Sequence, residues 1–223
     1  KGYARERSFI IDNTLSLLAD KPANNILLYG DRGTGKSSTV KAVLNEFAPR
    51  GLRLVEIPKH QLPYLGQVIS LLAESPLKFI IFADDLSFSD SDDSYTALKA
   101  VLEGSVSKLP DNMVIYATSN RRHLVRETFS GREGDEVHLA DTRDEAASLS
   151  DRFGITITFL APDKLRFLEI VSAIAADQGL SVDDETLAAA ANRWAVRRGS
   201  FSPRTASQFV DWACSRIQRG LSL

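Results

Sequence analysis

Gly30-Asp31-Arg32-Gly33-Thr34-Gly35-Lys36-Ser37 is the stretch whose reading decides this chain. It fits the phosphate-loop pattern G-x-x-x-x-G-K-[ST]. Gly33 and Gly35 allow a tight turn in which successive backbone N–H groups face phosphate oxygens with no side chain in the way. Lys36 brings a positive charge to the β- and γ-phosphates, and the Ser37 hydroxyl offers one ligand to Mg²⁺. Gly30, Gly33, Thr34, Gly35, Lys36, Ser37 and Ser38 are the expected nucleotide-binding set. The apolar run Asn25-Ile26-Leu27-Leu28-Tyr29 before the loop reads as a buried strand, and Ser38 to Leu44 after it keeps helical spacing. A helix starting at the loop points its N-terminal dipole at the phosphates.

Working outward, Phe79-Ile80-Ile81-Phe82-Ala83-Asp84-Asp85 is the second informative stretch. Its unbroken apolar run fits a strand buried on both faces, and it ends abruptly in two carboxylates. Alone, such a pair reads as solvated acids opening a loop. Beside a phosphate loop, Asp84 is expected to hold Mg²⁺ through water and Asp85 to polarise an attacking water. Met113 to Thr118 reads as a further buried strand ending in Ser119-Asn120. An amide there can orient a water or touch the γ-phosphate, although Asn120 by itself is an ordinary turn residue.

The remaining pattern alternates strands and helices. Residues from about Ala4 to Ala19 read as an amphipathic helix, and Leu52 to Ile57 as the second strand. Gln61 to Glu74 keep helical spacing, with Pro63 in the first turn. Within it, Tyr64-Leu65-Gly66 resembles the aromatic–apolar–glycine loop with which ring-shaped translocases grip their substrate. Tyr64 and Leu65 also fit the apolar face of the helix, and that is the preferred reading. Asp90, Asp92 and Asp93 read as solvated loop acids, with Asp93 or Ser94 capping a helix from Tyr95 to Leu102. Phe129 to Ser150 reads as a surface excursion or a mobile loop. Ile155 to Leu160 is the expected last strand. After Ala161-Pro162 only helical patterns follow, at about Asp163 to Asp177, Asp183 to Ala195 and Ser202 to Arg219. The expected architecture is α/β: a P-loop, doubly wound parallel sheet in residues 1–161, then a small all-helical lid domain in residues 162–223.

Composition bounds the function. The chain has 223 residues, 43% of them hydrophobic and 25% charged, which is ordinary for a soluble globular protein. A net charge of −2 gives no overall attraction to nucleic acid or anionic lipid; Arg121-Arg122, Arg126, Arg193 and Arg197-Arg198 could form a local basic surface for nucleic acid, but arginines scattered over helices are more often solvated or paired. The single cysteine, Cys214, is expected as a buried thiol in a reducing compartment. That compartment makes the cytoplasm the expected location, and because no apolar run approaches the roughly 18 residues of a membrane span, no membrane partner is expected. His60, His123 and His138 are too dispersed for a zinc site. The helical pattern begins almost at Lys1, which leaves open whether the natural chain starts further upstream.

In that order, the phosphate loop, Asp84-Asp85, Asn120, Asp151-Arg152-Phe153-Gly154 and the helical tail resemble the AAA+ ATPases over nearly the whole chain. Pro22-Ala23-Asn24-Asn25, Gly33 to Ser38, and Ser119-Asn120-Arg121-Arg122-His123-Leu124 are similar to one bacterial branch carried as a domain of unknown function. The resemblance implies ATP and Mg²⁺ as ligands. Lys36 and Ser37 would be the Walker A pair, Asp84 the Walker B magnesium residue and Asn120 the first sensor. Arg152 looks like the arginine finger of Holliday-junction motor proteins, acting on the nucleotide of a neighbouring subunit. Arg204, in Phe201-Ser202-Pro203-Arg204, looks like the second sensor, a lid arginine at the γ-phosphate. A finger in trans implies a homo-oligomer with head-to-tail interfaces, commonly a ring.

One departure stands out against that family. Walker B usually ends Asp-Glu, whereas Asp85 is one methylene shorter and leaves its carboxylate about an ångström short of the water. The expected function is an Mg²⁺-dependent ATPase that couples nucleotide state to conformational change on an unknown protein or nucleic-acid partner. The alternative is a slow or non-hydrolysing switch that recruits a partner. A GTPase or small-molecule kinase fits less well, because no Asn-Lys-x-Asp segment is present to read guanine.

Overall fold

The longest apolar runs become the middle of a sheet. A computed structural model of the chain describes residues 2–88, 92–104, 109–120 and 149–223. Strands β1 (Ile26–Gly30), β2 (Leu52–Glu56), β3 (Lys78–Ala83), β4 (Met113–Ser119) and β5 (Ile155–Phe159) lie in the order β2-β3-β4-β1-β5. The pairs are parallel, with Ile26 opposite Tyr116, Leu54 opposite Ile80 and Ile81 opposite Ile115. On the far edge, Ile155 N–H donates to Asn25 O and Asp31 N–H to Phe159 O, so β5 runs in the same sense as β1. Every residue of β4 is buried, and so is β3 from Phe79 onward, whereas the edge strand β2 is only half covered. That difference explains the unbroken apolar runs, since a central parallel strand has helices over both faces and no solvent side on which to alternate.

The two faces take alternate side chains of the same strands. Ile81, Ala83, Ile115 and Ala117 share a core with Leu65 and Ile69 of α3 (Leu65–Leu72) and with Leu98 and Val101 of α4 (Asp93–Leu102). On the other face, Asn13 and Thr14 of α1 (Ala4–Leu18) hold the buried Tyr116 hydroxyl at 3.0 and 2.9 Å. Burial pushes the Tyr116 phenol up, against those two hydrogen bonds. Helix α2 (Lys36–Phe47) follows the phosphate loop directly and buries Val40, Val43 and Phe47.

Three local expectations are corrected. The segment expected as one helix from Gln61 to Glu74 is a 3-10 stretch, Lys59–Tyr64, followed by α3. Pro63 has no N–H to give an α-helical ladder, and the tighter turn shifts the facing of the next residues. As a result Leu65 is 1% exposed and Tyr64 is 58% exposed, so the two do not share an apolar face. The cap of α4 is Asp92, whose carboxylate accepts from Ser94 N–H at 3.0 Å and pairs with Lys59 at 2.6 Å; it is neither a loop acid in solvent nor replaced by Asp93 or Ser94. Asp90 lies outside the described residues. Cys214 is half-buried, not enclosed, and its thiol donates to Gln178 Oε1 at 3.2 Å.

After Pro162 come α5 (Lys164–Asp177), α6 (Asp184–Arg198) and α7 (Pro203–Gln218). Each begins at an oxygen that accepts a backbone N–H: Asp163 from Arg166, Asp183 from Thr186 and Ser202 from Thr205. Small residues of α6, Ala190, Ala191 and Ala195, allow close packing against Phe167 and Phe209, both fully buried. The contacts divide the chain into two compact units. One holds Glu6–Gly30 and Lys36–Thr158; the other holds the residues up to Arg5, the loop segment Asp31–Gly35 and Phe159–Leu223. No helix among the described residues is long and apolar enough to cross a membrane.

Candidate functional site

Strands β3, β4 and β1 are neighbours, so their carboxyl ends deliver Asp84-Asp85, Asn120 and the approach to Lys36 to one edge of the sheet. Ligands of open α/β sheets bind at this edge, where the strand order reverses. Lys36 is 6% exposed, and its ammonium donates to Gly30 O at 2.8 Å and Asn120 Oδ1 at 3.1 Å. A lysine this buried persists only with its charge solvated by such oxygens. The Asn120 amide nitrogen donates in turn to Asp85 Oδ1. Asn120 therefore links the phosphate-loop lysine to the second acid of the strand end.

A second chain of bonds runs through the first acid. Ser37 Oγ donates to Asp84 Oδ1 at 2.6 Å, and Thr118 Oγ1 donates to the same oxygen at 2.5 Å. Thr118 also accepts from Asp85 N–H at 2.8 Å, and Thr118 O accepts from Leu86 N–H. Thr118 was not singled out from the sequence, where it reads as the last residue of a buried strand. The available signal was a hydroxyl at the end of an otherwise apolar run, level with two acids on the neighbouring strand.

Asp85 adopts φ 53°, the left-handed region, as a non-glycine residue. Most side chains lose roughly 1–2 kcal/mol there, and Asp is among the few besides Gly that occasionally adopt it, because its short polar group bonds locally. The unusual acid at this position thus matches an unusual backbone.

The residues fit a nucleotide phosphate with a hard divalent cation. Gly35 has φ 96°, and a Cβ built on it would meet nothing within 4 Å, so its backbone borders open space. A hydroxyl and a carboxylate side by side, Ser37 and Asp84, are the oxygen ligands Mg²⁺ prefers. Among the described residues no group of three or more His, Cys, Asp and Glu forms a separate metal site. Thr34 is buried, and its hydroxyl donates to Asp31 O at 2.8 Å, shaping the loop from within. Ser38 is exposed on the first turn of α2.

Within the other unit, the loop segment is fastened to the helices. Arg204 N–H, one of the free N–H groups at the start of α7, donates to Gly33 O at 3.1 Å, and Ala161 N–H donates to Asp31 Oδ2 at 2.7 Å. A Cβ on Gly33 would lie 2.8 Å from Ser202 Oγ, and its φ is 76°. Gly33 is therefore required by the close approach of α7 as well as by the turn. The Arg204 side chain is exposed.

Arg152 is placed by its neighbours, since Leu149 and Phe153 on either side are buried in the sheet core. Leu149, the end of the stretch expected as a surface excursion, is thus core; residues 129–148 of that stretch lie outside the described residues, as do Arg121, Arg122 and Arg126. The Arg152 guanidinium pairs with Glu103 at 3.2 Å, and no described bond joins it to Lys36, Asp84, Asp85 or Asn120.

Curated protein sequences give no match to this chain. Among solved structures, the Thermotoga maritima RuvB Holliday junction branch migration motor matches with a TM-score of 0.63 at 12% identity. The match covers 98% of this chain and 64% of that one. A variant of the same protein matches with a TM-score of 0.65, also at 12% identity, covering 98% of this chain and 64% of that one. Likeness at this identity is one of fold: a RuvB-like AAA+ fold with a five-stranded parallel sheet and a helical C-terminal region. The family model described as "Protein of unknown function (DUF815)" matches residues 1–217, and the chain belongs to that family.

Proposed function

We propose that this chain binds ATP with Mg²⁺ and hydrolyses it, coupling nucleotide state to a conformational change on a macromolecular partner. The observation that carries the reading is the pair of bonded chains Lys36–Asn120–Asp85 and Ser37–Asp84–Thr118, at the edge of the sheet where the phosphate loop leaves β1. In this reading the loop N–H groups and Lys36 bind the phosphates, and Ser37 and Asp84 hold Mg²⁺. Bound Mg²⁺ would neutralise charge on the phosphate oxygens. Asp85, held by Asn120, orients the attacking water and accepts its proton. Arg204 and, from a neighbouring copy, Arg152 supply positive charge to the γ-phosphate. Residues 1–161 serve as the ATP-binding domain and 162–223 as the lid, in a cytoplasmic homo-oligomer.

A second reading is supported by Asp85. Its short carboxylate, left-handed backbone and bond to Asn120 favour a slow switch that recruits a partner while ATP is bound. Binding of a fluorescent ATP analogue and phosphate release, measured with Mg²⁺ on the native chain, Lys36→Ala and Asp84→Asn, test both readings. Hydrolysis predicts binding lost in Lys36→Ala and turnover lost in Asp84→Asn. Binding at native affinity with turnover at background moves the conclusion to the switch. No binding by the native chain, or equal binding by Lys36→Ala, overturns both.

A further inference from the structure

Helix α6 carries Ala190, Arg193, Trp194 and Arg197 at i, i+3, i+4 and i+7, which places them on one face. Together with Trp212 and Arg216 of α7, and with Leu223, they line a pocket of about 290 Å³. The two indoles are 5.0 Å apart at their centroids. The Arg216 guanidinium lies 5.1 Å over the Trp212 ring, and its Nε donates to Ser222 O at 2.7 Å. Arg198 lies 4.9 Å over Trp194 and donates to Gln208 Oε1 at 3.1 Å. Arg193 and Arg197 have no hydrogen-bond or ion-pair partner among the described residues, and the buried Trp194 Nε1–H has no acceptor among them. No Asp or Glu side chain lines the pocket.

The pocket therefore offers donors at its rim, apolar surface within, and no acceptor side chain. Its chemical complement is a group with the opposite arrangement: an apolar body flanked by acceptor-only anions. Arg198 and Arg216 occupy indole faces that single-stranded nucleic acid would need for base stacking. We infer that this pocket docks an acidic segment of a protein partner. An apolar side chain seats against Trp194 and Trp212, and flanking carboxylates pair with Arg193, Arg197 and Arg216. The inference stands apart from the nucleotide chemistry and does not require it.

The chain contains two tryptophans, Trp194 and Trp212, and both belong to this pocket, so its intrinsic tryptophan fluorescence is a local probe. The full chain is titrated with a capped hexapeptide, Asp-Glu-Leu-Phe-Glu-Asp, with the same peptide carrying Lys in place of its acids, and with a twelve-nucleotide oligothymidine. The expected result is a saturable fluorescence change with the acidic peptide alone, weakened by salt. Affinity should fall by at least about tenfold in the double variant Arg193→Gln, Arg197→Gln. Both arginines are exposed, so the thermal melt of that variant should match the native chain. No response to the acidic peptide, an equal response to the lysine peptide, or unchanged affinity in the double variant overturns the proposal. Tighter binding of the oligonucleotide overturns it as well, and assigns the pocket to nucleic acid.

Discussion

The Thr118 hydroxyl ties both acids of the strand end at once, donating to Asp84 and accepting from the Asp85 backbone. Thr118→Val keeps the shape of the side chain and removes both bonds. It leaves the Asp85 N–H without its acceptor in a part-buried position, at a cost of about 1–3 kcal/mol. Denaturant melts should show that loss, and ATP turnover should fall more than ATP affinity, because the acids rather than the phosphate loop lose their support. Thr118→Ser, which keeps the hydroxyl, should restore both. Unchanged turnover in Thr118→Val would confine Thr118 to a role in stability. Beside it, Asp85 combines its left-handed backbone with a bond from Asn120. Asp85→Glu restores the acid usual in AAA+ proteins but places a longer side chain at φ 53°, so the variant should lose about 1 kcal/mol in the same melts. A large gain in turnover despite that loss would mark the native Asp85 as setting a slow rate.

At the scale of elements, α4 depends on one acid that serves two partners. Asp92 caps the helix through Ser94 N–H and pairs with Lys59, which also donates to Ser87 O. Burial by itself would raise the Asp92 carboxyl, but its bonds to Lys59 and Ser94 outweigh that and hold it below the usual carboxylate value of 3.8. A depressed folded value means the stabilisation is fully present above the unfolded value and is lost as pH falls through the folded one. Asp92→Ala should therefore cost about 1 kcal/mol at neutral pH, and the gap from the native chain should narrow below pH 3.8 in urea melts run across that range. A gap that persists at low pH would show that the cap acts without its charge. What the sequence made legible follows the same lines of local against distant contact. The buried strands, the glycine-rich loop and the C-terminal helices are written in runs of adjacent residues, which is why they are legible in sequence. The surroundings of Asp92 are not legible in this way because its partner Lys59 lies on another element, nor is the exposure of Tyr64, because the 3-10 turn at Pro63 breaks the helical spacing between it and Leu65. Thr118 and the second reason for Gly33, the approach of Ser202, likewise arise only once distant segments meet.

For the whole molecule, the proposed reading brings Arg152 to the nucleotide of a neighbouring copy; among the described residues it bonds to none of Lys36, Asp84, Asp85 or Asn120. Its partner is Glu103, with the two side chains 50% and 27% exposed. An ion pair so open to water is worth about 0–1 kcal/mol, too little to hold the guanidinium against the concentrated charge of a γ-phosphate. Buried Leu149 and Phe153 fix the backbone on both sides, so the arginine can exchange partners while its position in the fold stays set. ATP turnover per chain should therefore rise with protein concentration, since the finger arrives only on assembly. Arg152→Ala should remove that rise while leaving binding of a fluorescent ATP analogue intact. Glu103→Gln, which frees the guanidinium, should shift the rise to lower or equal concentration and should not abolish it. Steady-state phosphate release across a wide concentration series, run for these three chains, decides the matter. A native rate per chain that is flat with concentration, together with an Arg152→Ala variant that matches it, would remove the finger from the mechanism and leave a self-contained site.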